Sequence, residues 1–122
     1  MAHARQKFGR QGEAAAVNYL KQLGYFVLDT NWHAGRYGEL DIVAQNGQTL
    51  VIVEVKTRQN LSLGGPEAAV TVHKQNKIKL AAQAYVLAHP QLPSEVRFDV
   101  LAIVLSPEGT VKELKHYQGL IF

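Results

Sequence analysis

The chain has 122 residues, enough for one domain with a single core, and its 47% apolar and 19% charged composition is that of an ordinary globular protein. It contains no cysteine, which excludes disulfides and thiolate metal sites and fits a reducing cytoplasm. No apolar run approaches the roughly 18 residues of a membrane helix, MAHARQKFGRQGE lacks the apolar core of a secretion signal, and the net charge of +3 is only a mild bias toward polyanionic partners.

From Arg5 to Leu23 the pattern is helical, with Phe8, Gly12, Ala15, Ala16, Tyr19, Leu20 and Leu23 recurring at three- and four-residue steps. Gly24 is a C-terminal stop, and Tyr25–Asn31 reads as a strand. HAGRYG (33–38) is a loop. ELDIVAQ and TLVIVEVKT then flank Asn46-Gly47, a strong hairpin signal. QNLSLGGP (59–66) is a loop whose Pro66 suits a helix's first turn. A second helix is expected from about Glu67 or Val72 to Ala88. Val96–Leu105 and Thr110–Tyr117 complete the order α-β-β-β-α-β-β. The expected fold is α/β: a single domain over residues 1–122, with a mixed five-stranded sheet flanked by helices. The strand LVIVEVKTR is central, with Val51, Val53 and Val55 facing one helix and Leu50 and Ile52 the other layer.

That strand carries a carboxylate and an ammonium group, although burying an unpaired charge costs several kcal/mol. Residues two apart in a strand share a face, so Glu54 and Lys56 point the same way. A two-residue hairpin loop sets Asp41 opposite Ile52, and a four-residue loop sets it opposite Glu54. Both registers bring Asp41 to the face of Glu54 and Lys56. Alone, Glu-x-Lys also fits a structural ion pair on a partly exposed edge. With Asp41 added, two carboxylates repel, and a hard cation such as Mg²⁺ resolves that by taking oxygen ligands. The chemistry that uses this set is phosphodiester hydrolysis, with a lysine to orient or deprotonate the attacking water.

Asp41 followed by Glu54-Val55-Lys56 resembles the D…(D/E)-x-K signature of the PD-(D/E)xK nuclease superfamily, which includes restriction endonucleases and archaeal Holliday junction resolvases. The chain is similar throughout to the bacterial YraN family. The matching stretches are GRQGEAAAVNYLKQLGY (9–25), GELDIVA (38–44), VIVEVKTR (51–58), GGPEAAVTVHKQNKI (64–78) and RFDVLAI (97–103). Leu40 stands where the superfamily's name has proline. The resemblance implies a restriction-endonuclease-like fold and a metal-dependent endonuclease acting on DNA, branched or structured DNA included. It implies Asp41, Glu54 and Lys56 as catalytic residues. It also implies an Mg²⁺ or Mn²⁺ site made of Glu13, Asp41, Glu54 and the Val55 carbonyl. Resolvase-like relatives are dimers, so a homodimer is a further expectation. The helix pattern by itself also suits an ordinary solvated charge at Glu13.

Arg58 follows the central strand and can clamp a phosphate. Lys74 and Lys77 share a helix face and would neutralise backbone phosphates without reading bases; a solvated helix face is the alternative. Gln6, Lys7 and Arg10 are weaker candidates. Glu39, two residues from Asp41, either supports the site from behind or is a strand-end charge in solvent. Asp99 reads as a strand-end charge paired with Arg97 or a neighbour. The five histidines lack metal-ligand spacing and read as surface residues. Three functions compete. They are a nuclease, a nucleic-acid-binding protein of nuclease fold with little or no activity, and a structural protein whose acids and lysine form salt bridges.

Overall fold

Leu50, Val51, Ile52 and Val53 are almost wholly shielded from solvent although they alternate in direction, so their strand is covered on both faces. The computed structural model describes residues 2–59 and 71–120. Their elements are α1 (Ala2–Gln22), β1 (Phe26–His33), a 3-10 turn (Gly35–Tyr37), β2 (Glu39–Asn46), β3 (Thr49–Arg58), α2 (Val72–Ala88), β4 (Glu95–Leu105) and β5 (Val111–Tyr117). The strands form one sheet in the order β1-β2-β3-β4-β5, with β3 at its centre. Neighbours are antiparallel except β3 and β4, which are parallel and separated in sequence by α2. This is the expected α-β-β-β-α-β-β fold.

The two faces are sorted by strand parity. Val51 and Val53 join Ala16 and Leu20 of α1, Ile42 and Ala44 of β2, and Leu101, Ile103 and Leu105 of β4. Leu50 and Ile52 join Val43 and the α2 residues Ile78, Ala81, Ala82 and Tyr85, which recur at helical spacing. Tyr85 also donates a 2.7 Å hydrogen bond to Asp29 of β1, which ties α2 to the far strand.

The structure adjusts several boundaries. α1 starts at Ala2 rather than Arg5 and ends at Gln22, where Gly24 turns the chain at φ 89°. β1 runs to His33, into the stretch expected as loop. The hairpin turns on Gly47-Gln48, because Asn46 still pairs with Thr49. α2 starts at Val72, capped by the Thr71 hydroxyl, which accepts from Lys74 N–H. Pro66, most of the 59–66 loop, and the side chains of Gln6, Lys7 and Phe8 lie outside the described residues.

In the middle of β4, opposite Val53 of β3, Asp99 is only 1% exposed, which corrects its reading as a strand-end charge. The pairing with Arg97 holds: both Nε and Nη2 donate to its carboxylate, at 2.9 and 2.8 Å. Gly119 N–H and His116 Nε2 complete the shell at 3.0 and 2.7 Å. Burial works against the Asp99 charge, but Arg97, Gly119 and His116 together hold its carboxyl below the ordinary range. His116 is therefore an interior residue and not a surface one; its side chain is 5% exposed and its Nδ1 bonds the Tyr19 hydroxyl of α1 at 3.0 Å. His89 is also half-buried and stacks on Tyr85. The Asp99 cluster pins the C-terminal half of α1 to β4 and β5.

The other half of α1 rests on a glycine. A Cβ on Gly12 would overlap the Thr57 side chain of β3, so the helix meets the strand here with only the Thr57 side chain between the two backbones. Gly9, one turn earlier, has open space instead. Gly12→Ala is expected to lower unfolding stability in urea by about 1–3 kcal/mol through overpacking. Gly9→Ala is expected to be neutral or to stabilise by up to about 1 kcal/mol through helix propensity.

Candidate active site

The pairing of β2 with β3 stops at Ile42 opposite Val53. Beyond that rung β2 stays with β1 as far as Glu39 opposite His33, and β3 stays with β4 as far as Arg58 opposite Val104. The sheet therefore forks, and residues 39–41 part from residues 54–58. In the fork Asp41 Oδ2 accepts the Val55 N–H at 2.9 Å, so a side chain replaces the next rung of the ladder. The amide and carbonyl of one strand residue point the same way, so the Val55 carbonyl also faces the fork. The register continued by one step sets Asp41 opposite Glu54, the arrangement that the four-residue loop predicts.

The fork opens a cavity of about 400 Å³ reached from both faces of the sheet. Gly9 and Glu13 line it from α1, Lys74 lines it from α2, and Asp41, Glu54, Val55, Lys56 and Thr57 form its floor. The sequence-predicted residues Glu13, Asp41, Glu54, Val55, Lys56 and Lys74 thus come together. Arg58, Lys77 and Glu39 do not line the cavity. Glu39 is exposed and faces His33 Nδ1 at 3.5 Å.

The charges are not independent. Burial, then the neighbouring Glu54 and Glu13 carboxylates, push the Asp41 carboxyl up to about 7, against the opposing pull of the Val55 N–H. Glu54 Oε1 is 3.4 Å from Lys56 Nζ and 2.9 Å from Lys74 Nζ. Burial and the adjacent Lys74 push the Lys56 ammonium below its ordinary range. Burial acts in the same direction on Lys74, but its hydrogen bond with Lys56 and the Glu54 charge leave it raised.

Asn31 was invisible to the sequence reading. It is the one non-glycine described residue with positive φ, 51°, and its amide donates to Glu13 Oε1 at 3.0 Å. It lies between the Thr30–Ile42 and Trp32–Leu40 rungs, opposite Asp41. Asparagine is among the few residues that accept this backbone conformation, and no spacing rule in the sequence signals it. This backbone conformation places the Asn31 amide where it holds the Glu13 carboxylate.

The oxygens of Asp41, Glu54, Glu13 and the Val55 carbonyl suit a hard divalent cation by type. Among the described residues, however, no three Asp, Glu or His side chains stand close enough to form a cage. Glu54 is turned to the lysines and Glu13 to Asn31. The mutual repulsion that raises Asp41 is what a cation entering the fork would relieve.

A mixed five-stranded sheet between two helices, with acids and lysines gathered at a strand fork, defines a protein of the restriction-endonuclease-like fold class. The chain belongs to the Uncharacterised protein family UPF0102, the YraN family, whose family model matches residues 12–103. It is similar to a UPF0102 protein of Dictyoglomus turgidum, 42% identical over 106 residues covering 87% of this chain and 89% of that one. It is 40% identical to a UPF0102 protein of Pelotomaculum thermopropionicum over 119 residues, 98% of each chain. A third relative, from Porphyromonas gingivalis, is 47% identical over 112 residues, 91% of this chain and 81% of its own. No helix among the described residues is long and apolar enough to cross a membrane.

Two outcomes are expected from this electrostatic arrangement. Asp41 keeps its proton in the folded state between pH 4 and about 7, whereas the unfolded chain releases it there, so stability falls as pH rises through that window. Asp41→Asn removes that loss. In EDTA it should stabilise the protein by about 1–2 kcal/mol at pH 8, discounted for the solvent that reaches the carboxylate, and by little at pH 4. Asn31→Ala should cost about 1 kcal/mol more than Asn31→Gly in denaturant unfolding, since alanine lacks glycine's freedom at this φ.

Proposed function

We propose that the chain is a divalent-metal-dependent phosphodiester hydrolase acting on DNA, with branched or otherwise structured DNA suggested by its likeness to resolvases. One observation carries this reading. Asp41, Glu54 and Lys56 meet at the mouth of a strand fork, with Glu13 arriving from α1, in a cavity open to a backbone phosphate. Asp41, Glu54 and the Val55 carbonyl would hold Mg²⁺ or Mn²⁺, joined by Glu13. When bound, such an ion supplies Lewis-acid charge to the scissile phosphate and makes a water easier to ionise.

The chain's own groups have the remaining work. Lys56, next to Val55 on the floor of the cavity, orients the attacking water. Burial and the adjacent Lys74 lower its affinity for a proton, the direction in which a proton-transferring lysine is tuned. Its ammonium form also offsets charge that grows on the phosphate. Arg58 and Lys77, outside the cavity, suit contacts to flanking phosphates, which position a duplex without reading its bases.

A second reading is a nucleic-acid-binding protein of the same fold with little or no turnover. It is favoured by the neutralisation of Glu54 by two lysines and by the lack of a preformed cage among the described residues. A cleavage panel separates the two: single-stranded, duplex, flapped and four-way-junction DNA, and RNA, each with Mg²⁺ or Mn²⁺. Under the first reading Lys56→Ala lowers single-turnover cleavage by about 10²-fold or more while affinity changes little. If Lys56→Ala cleaves as the wild type does, Lys56 is a counter-ion of Glu54 and its role in the chemistry fails; a wild type that cleaves nothing in the panel overturns the hydrolase reading.

A further inference from the structure

Lys56 and Lys74 share one oxygen of Glu54, yet they differ in every other respect. Lys56 projects from the central strand, and its side chain is 16% exposed. Lys74 stands in the first turn of α2 on the opposite wall, and its side chain is 40% exposed. It makes the shorter contact, 2.9 against 3.4 Å. A long flexible side chain with its tip in solvent can leave a partner without unpacking the protein, whereas a lysine on the floor of a cavity cannot.

We infer that Lys74 is an exchangeable counter-cation: it holds Glu54 while no divalent ion is bound, and is released toward a substrate phosphate when one binds. The inference rests on the metal-dependent reading above and adds a linkage between the ion and the nucleic acid.

The charge arithmetic supports the exchange. Glu13, Asp41 and Glu54 face Lys56 and Lys74 across one cavity, three acids against two bases. A divalent ion on Asp41 and Glu54 adds two positive charges there, which makes the site cationic overall with both ammonium groups still present. Coulomb repulsion across a few ångströms of partly screened space then favours expelling one cation. Lys74 is the one that can go, and a phosphate at the mouth is the partner that receives it. By linkage, the ion strengthens nucleic-acid binding and nucleic acid strengthens ion binding by the same factor. Before the ion arrives, the ammonium of Lys74 occupies the carboxylate that the ion needs, which also accounts for the absence of a preformed cage among the described residues.

The test uses the full chain as wild type, Lys74→Gln and Lys74→Arg. Mn²⁺ affinity is measured by calorimetry without nucleic acid. Lys74→Gln is expected to bind Mn²⁺ about three- to tenfold tighter than wild type, because it lacks the competing charge. Lys74→Arg is expected to stay near wild type. Affinity for a fluorescein-labelled duplex oligonucleotide is then measured by anisotropy over a salt series, in EDTA and in Ca²⁺. Ca²⁺ should steepen the salt dependence of wild type by about 0.9, one added phosphate contact, and leave that of Lys74→Gln unchanged. Equal Mn²⁺ affinity in wild type and Lys74→Gln overturns the inference and leaves the metal reading intact. So does a Lys74→Arg protein that matches Lys74→Gln, or a salt dependence that steepens equally in both proteins. Mn²⁺ binding to none of the three overturns the metal reading as well.

Discussion

The hydrogen bond from Val55 N–H to the Asp41 carboxylate is the interaction on which the site depends. A sheet whose strands stayed paired would fill the space between β2 and β3 with backbone, and no cavity could form there. A side chain in the place of a rung lets the strands separate without leaving the amide unsatisfied, which would cost more than the bond itself contributes. The same substitution leaves the Val55 carbonyl facing the gap. One contact thus opens the fork and provides two of its oxygens.

A fork between strands has two faces, and this explains why both helices reach the same cavity from opposite sides of the sheet. α1 must lie close to β3, and Gly12 against Thr57 permits it. Its C-terminal half is held by the Asp99 cluster through Tyr19 and His116, so the helix that carries Glu13 is held on both sides of that residue. α2 is held by Ile78, Ala81, Ala82 and Tyr85, and that packing leaves its first turn, with Lys74, over the mouth of the fork. Elements packed for stability thereby set the position of charges that stability alone would not favour. Asp41 is raised because burial and two other carboxylates oppose its ionisation. This is the local inconsistency expected of a functional site in an otherwise consistent fold.

Glu54 and Lys56 interrupt the most apolar segment of the chain because the sheet is no longer closed where they stand. Leu50 to Val53 lie within the paired part of β3 and are buried by both helices. One residue further on, the partner strand has departed. The side chain of Glu54 is 12% exposed and that of Lys56 16%, which is enough for water or an ion to reach them. Their mutual contact and Lys74 offset the cost of partial burial.

Much of this was legible in the sequence, because it rests on rules that act over short range. Period-two and period-3.6 patterns determine which residues of β3, α1 and α2 face the core. Strand parity across a hairpin determines that Asp41 shares a face with Glu54 and Lys56 for either of the even-length turns. Tertiary structure alone decided the rest. The choice of Gly47-Gln48 as the turn, and hence Asp41 opposite Glu54, depends on how β2 sits between two neighbours. The burial of Asp99 and His116 depends on a strand paired late in the chain; by sequence alone the one reads as a strand-end charge paired with Arg97 or a neighbour and the other as a surface residue. Asn31 reaches Glu13 only through a positive φ, and Lys74 reaches Glu54 only because α2 crosses the sheet at the fork. Such contacts join residues 18 and 20 positions apart or more through three-dimensional packing, and no periodicity in a chain encodes where two separately folded elements will meet.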